Sequence, residues 1–192
     1  GRLLTPEMFQ RRGALALLKI LLIQGGRPLS RDVLIETLWP EVDPLSGANR
    51  LYVLVHALRK MVEPDHQKQP WVYICNDGDR YYLNSHAPYR LDIEEFRECI
   101  KLGERLERGG DVAPAMDAYE AAVDLYKGDL LEDEVYAEWC WGEREHLKEA
   151  CLTILRRLAT FYLEQPTLEK SIESYRKALR IDVLREENHR GL

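Results

Sequence analysis

Ser46, Asn49, Arg50, Val53, His56, Ala57 and Lys60 lie close together in a segment that opens at Asp43-Pro44 and runs to about Val62, before Pro64. Wound at about 100° per residue with Val55 at the centre of a core face, this segment turns Ala48, Leu51, Leu58 and Val62 inward. The seven residues then share the opposite arc. Amide, guanidinium, imidazole and ammonium groups interleaved with small apolar ones can meet phosphates and base edges. Lys60, near the helix end, would suit a phosphate, whereas Val53 and His56, nearer the middle, would suit a thymine methyl and a base edge. The same arc also fits an ordinary solvated helix face.

No group of residues points to catalysis. The chain has no GxxxxGKS/T, GxSxG, HExxH or GxGxxG, and none of its five histidines pairs at metal-ligand spacing. Neither cofactor nor metal is expected. His146 and His189 read as surface residues, and Glu143, Glu145 and Glu149 as a solvated acidic face. Cys75, Cys99, Cys140 and Cys151 lack CxxC spacing, which argues against a zinc ribbon or a disulfide framework and suits a reducing cytoplasm. Cys140 and Cys151 share a helix face about 16 Å of rise apart, and read as buried thiols. Trp141 points about 200° away from Trp139 on that helix, which makes it the better candidate for an exposed contact.

The elements that must carry the arc read as helix, helix-turn-helix and hairpin. Thr5-Pro6 and Gly25-Gly26 bound a helix over 6–24 whose face carries Leu15, Leu18, Leu21 and Leu22. Ser30 caps a second helix that stops at Trp39-Pro40, and Asp43-Pro44 starts the third. Trp71–Cys75 and Arg80–Asn84 flank Asn76-Asp77-Gly78-Asp79, an Asp-Gly hairpin signal that sets Arg80 and Tyr82 on one strand face. Three helices followed by a two-stranded ribbon is the order of a winged helix-turn-helix, with the hairpin as wing. The fold class is mainly α.

From Asp92 onward the chain reads helical. Asp92-Ile93-Glu94-Glu95 resembles a capping box, and the helix it opens ends at Gly109-Gly110. Further helices are expected over 112–127, from Tyr136 to Glu164 after an acidic connection, and from near Leu168 and Leu184. Ala115-x3-Tyr119-x2-Ala122 recurs as Ser171-x3-Tyr175-x2-Ala178, which predicts a helical-repeat domain. Two domains, 1–91 and 92–192, follow. The first carries 12 Lys+Arg against 9 Asp+Glu, while the second is strongly acidic, at −9 within a total of −6. A local basic patch is compatible with nucleic-acid binding. The richest apolar run, Ala14–Ile23, is interrupted by Lys19 and falls short of the ~20 residues of a membrane span. Gly1 in place of Met, with no leader pattern after it, reads as a start inside a longer protein.

The order of these pieces resembles a known family. Leu15-Ala16-Leu17-Leu18, Gly26-Arg27-Pro28-Leu29-Ser30-Arg31, Leu38-Trp39-Pro40, Asn49-Arg50-Leu51 and Leu58-Arg59-Lys60 are similar to the DNA-binding domain of the SARP (antibiotic regulatory protein) family. Leu91-Asp92-Ile93-Glu94-Glu95-Phe96, Leu125-Tyr126-Lys127-Gly128-Asp129-Leu130-Leu131, Trp139 and Leu184-Arg185-Glu186-Glu187 resemble its bacterial transcriptional activation domain. The resemblance implies an OmpR-like winged helix followed by a tetratricopeptide-like domain, a cytoplasmic activator that binds double-stranded promoter DNA and recruits RNA polymerase. The candidate DNA contacts, taken from the outer arc and the wing, are Asn49, Arg50, Val53, His56, Lys60 and Arg80, and the resemblance implies a core position for Trp139. The acidic turn carrying Glu41 and Asp43 would face polymerase, while Asp43 also suits a helix cap. A homo-oligomer on DNA is allowed. Three departures stand out: no small sheet precedes the first helix, Arg80 stands where the wing often has Gly, and Val183 follows Asp182 where Pro is common. A docking module whose winged helix no longer binds DNA is the alternative.

Overall fold

Thr5-Pro6 opens only a 3-10 turn, Pro6–Met8, because Phe9 leaves the helical region and buries its ring. The first helix, α1 (Arg12–Ile23), is therefore shorter than the continuous 6–24 predicted. It buries Ala14, Leu17, Leu18, Ile20 and Leu21, a face turned toward Leu17 and away from Leu15 and Leu22. The computed structural model describes residues 5–9, 12–65, 70–134, 136–165, 168–184 and 186–190. They fall in two units, Gly1–Tyr89 and Arg90–Leu192.

In the first unit, α2 (Arg31–Leu38) is capped by Ser30, whose hydroxyl accepts from the Val33 N–H. The third helix, α3 (Pro44–Val62), packs on both α1 and α2. Leu17, Leu21, Leu34, Leu51, Leu58 and Ile74 are fully buried and anchor this core. The ribbon gains a strand: β1 (Leu29–Ser30) pairs antiparallel with β3 (Arg80–Leu83), which also pairs with β2 (Ile74–Asp77). A lone hairpin is marginal in water. Here β3 is held on both sides.

The hairpin turn is also tighter than predicted. Asp77 pairs with Arg80, leaving Gly78-Asp79 as a two-residue loop with Gly78 at φ +57. Glycine is needed at that first loop position because other residues resist positive φ. The turn is tied down from outside the hairpin by the Arg31 N–H, which donates to the Asp79 carbonyl at 2.8 Å.

The second unit consists of α4 (Asp92–Gly109), α5 (Val112–Leu125), α6 (Trp141–Leu163), α7 (Leu168–Ile181) and the short α8 (Glu186–Arg190). Leu91, not Asp92, is the N-cap of α4, and no side chain caps it; Asp92 is already helical and its carboxylate accepts from the Ile93 N–H. Gly110 closes α4 in the left-handed conformation. α4 pairs with α5, and α6 with α7. The repeated small residues sit on the second helix of each pair, with Ala115, Ala122, Ser171 and Ala178 buried. Tyr119 is fully buried, while its counterpart Tyr175 is half-buried.

The long helix begins later than Tyr136. A 3-10 turn over Glu138–Cys140 precedes α6, so Cys140 and Cys151 lie on different elements, both buried. Trp139, in that turn and not on α6, is half-buried and not a full core residue. Trp141 is 51% exposed, as its phase predicts. The acidic connection is tethered by Arg144, which donates to the carbonyls of Leu130 and Leu131, both at 2.7 Å. Leu131 adopts φ +50, a left-handed conformation that costs a branched residue energy and that this tether holds. Among the described residues, no helix is long and apolar enough to cross a membrane.

Candidate nucleic-acid interface

The inward face of α3 is centred about 55° from the position predicted, near Leu51 and Leu58. Gly47, Leu51, Leu54, Val55 and Leu58 are buried, whereas Ala48 and Val62 are only half-buried. The shift follows from two partners: α1 and α2 both press on the helix, and Leu54 meets the space beside Gly13 of α1. Ser46, Asn49, Arg50, Val53, His56 and Lys60 are exposed on the outer side, and Ala57 is half-buried.

The rotation adds two residues that the sequence reading left out. Tyr52, 72% exposed, and Leu45, 77% exposed, flank Asn49 and His56 on that outer side. Their signal was present in the sequence, since an aromatic one turn before His56 can contact a base or sugar. Centring the core on Val55 had placed Tyr52 at its margin.

Asp43 caps α3: its carboxylate accepts from the Ser46 N–H at 3.0 Å. Hydrogen bonds from Ser46 hold its pKa below the usual carboxylate value. Glu41 and Asp43 are both exposed on the turn between α2 and α3. This turn is set by close approach. A Cβ on Gly47 would lie 2.5 Å from the Ile35 Cγ2 atom. Gly47→Ala should therefore wedge α2 from α3, and overpacking of ~1 to 3 kcal/mol outweighs the gain of about 1 kcal/mol in helix propensity. Thermal unfolding of the N-terminal unit should show a lowered midpoint; an unchanged or raised one would mean that Ile35 yields.

Behind the outer face, the end of α3 is joined to the ribbon. Arg59 Nε donates to the Ile74 carbonyl at 2.9 Å, and its terminal nitrogen to Asn76 Oδ1 at 2.7 Å. Its guanidinium carbon lies 5.7 Å from the centre of the Trp71 ring. Burial lowers the Arg59 pKa, although the group stays cationic at neutral pH. Trp71 and His56 meet edge-on with centroids 6.4 Å apart. Glu63, the C-cap of α3, accepts from the Val72 and Tyr73 N–H groups at 2.9 and 2.8 Å. Arg80 is exposed at the start of β3, next to the turn.

A three-helix unit with a braced ribbon, joined in sequence to a unit of paired helices, defines a class of transcription regulators. Residues 91–192 match the family model described as bacterial transcriptional activator domain, and residues 10–76 match that of the transcriptional regulatory protein C terminal. These are regulator families, not enzyme families. The chain belongs to the bacterial transcriptional activator domain family, and the winged-helix match ahead of that domain gives it the domain order of SARP-type regulators. It is similar to the regulatory protein AfsR of Streptomyces coelicolor, with 26% identity over 150 residues, or 78% of this chain. That stretch is 14% of the relative's length.

Proposed function

We propose that the N-terminal unit binds promoter DNA in a sequence-specific manner, with α3 in the major groove and the Arg80 end of the hairpin at the neighbouring backbone or minor groove. The outer face of α3 carries this reading. Asn49, Arg50, Val53, His56 and Lys60 are all exposed on one helix, with an exposed arginine on the adjacent ribbon. A helix of this width fits the major groove, and its donors match what phosphates and base edges accept. Such a protein would act in the bacterial cytoplasm, and the length of its footprint would report any homo-oligomer on DNA.

Residues 1–91 alone should shift DNA in a gel while residues 92–192 alone should not, because the surplus of positive charge lies only in the former. A shift produced by the acidic fragment would overturn this division.

RNA polymerase is the proposed second partner, reached through Glu41 and Asp43. Carboxylates beside a groove-reading helix repel phosphate, yet they suit a basic protein surface. Replacing both with Ala should lower transcription in vitro more than operator affinity, with Asp43→Asn as the control that keeps a cap. Equal losses of transcription and affinity would remove the polymerase contact from the reading.

The exposed Leu45 and Tyr52 favour a second reading, a protein docking surface. Salt separates the two. Binding to DNA should weaken steeply as salt rises, whereas an apolar docking contact should not.

A further inference from the structure

Arg59 lies in the last turn of α3, one residue before Lys60, where a basic side chain would ordinarily reach for a phosphate. Its partners lie elsewhere. Both of its hydrogen bonds, to the Ile74 carbonyl and to Asn76 Oδ1, end on β2. One face of the guanidinium lies toward Trp71, whose ring also meets His56. Glu63, one turn further, holds the backbone of Val72 and Tyr73 just ahead of β2. Four hydrogen bonds to charged groups therefore tie the end of α3 to the ribbon. Moving Arg59 to a phosphate would break two of them, and such bonds are roughly twice as strong as neutral ones.

We propose that Arg59 is a positioning residue: it locks the β2–β3 hairpin to α3, so that base-reading helix and wing meet DNA at a fixed spacing, and it touches no DNA itself. The inference rests on the DNA-binding reading above and adds a division of labour between adjacent cations. Lys60 faces the ligand. Arg59 faces the protein, and through Trp71 it also bears on the orientation of His56. The hairpin gains from such an anchor because its strands have four residues each and β1, which extends the sheet, has only two.

The test uses the full chain and an operator selected from random oligonucleotides, with hydroxyl-radical and dimethyl sulfate footprints and a salt series. Arg59→Met keeps most of the stem but removes the donors. It should weaken operator binding about tenfold, the scale of a lost hydrogen bond to a charged group, with an unchanged salt slope. Major-groove protection should persist while wing-side backbone protection fades. Arg59→Lys, which keeps the charge but not the fork, should fall between Met and wild type. If Arg59→Met instead weakens operator and scrambled DNA equally and lowers the salt slope by about 0.9, Arg59 is a phosphate ligand and the proposal is wrong.

Amide exchange in the absence of DNA keeps the two readings apart. Faster exchange over residues 74–83 in Arg59→Met than in wild type supports the lock even if wild type shows no sequence preference, a result that would count only against DNA recognition. Equal exchange overturns the lock. Asn76→Ala, an exposed change beside the turn, should give the same direction with a smaller effect, and it carries both measurements if Arg59→Met fails to fold.

Discussion

Tyr119→Ala should destabilise the helical unit by about 3 to 5 kcal/mol, the usual cost of truncating a buried aromatic. Its ring is fully buried between helices, and its hydroxyl donates to Glu107 at 2.9 Å while accepting from Arg157 at 2.8 Å. Truncation therefore leaves a void and also strips a partner from both charged groups. The ring lies against Gly103 of α4, where an added Cβ would sit 2.4 Å from a ring carbon. Gly103→Ala should thus cost ~1 to 3 kcal/mol by overpacking, more than the roughly 1 kcal/mol it gains in helix propensity. Combined with Tyr119→Ala, the new methyl enters the space left by the ring. The double variant should be less destabilised than the sum of the two, and urea unfolding followed by exchange on α4 and α5 measures the difference. Strict additivity would show that the two positions do not share a cavity.

Arg50→Ala and Lys60→Ala together should lower the slope of log affinity against log salt by about 1.8, if each cation releases one condensed counterion. The loss should be similar on operator and scrambled DNA, because phosphate contacts carry no base information. His56→Ala should do the opposite. It should relax preference at one base position, by no more than the ~1 to 3 kcal/mol of a good bidentate pair, and leave non-specific affinity almost intact. Affinities on both DNAs across a salt series separate these behaviours. If neither quantity moved in any variant, the outer face of α3 would be solvated surface, and the docking reading would replace this one.

Local signals made most of the fold legible. Ser30, Asp43 and Gly110 each mark a helix end by a mechanism that acts within a few residues, and the structure uses all three. The features that were missed depend on distant partners. Periodicity alone could not orient α3 because its core face is the compromise between α1 and α2, and that 55° rotation hid Tyr52. β1 is two residues long, too short for any alternation, and exists only because β3 offers it an edge. Periodicity carries no signal for the roles of Arg59 and Arg144, because each donates to acceptors that only the folded chain brings near. In the candidate interface, the exposed residues Asn49, Arg50, Val53, His56, Lys60 and Arg80 could be chosen from type and phase. What stands behind them could not.

The Glu63 carboxylate has a consequence for chain length. By pinning the Val72 and Tyr73 amides directly to the end of α3, it closes the connection between helix and ribbon at both of its ends. Trp71, just before the second anchor, packs on Arg59 and His56, and doubling the length of the loop ahead of it would add only about 0.6 kcal/mol of closure entropy. Insertions there should lengthen the chain without altering the angle at which helix and ribbon are presented.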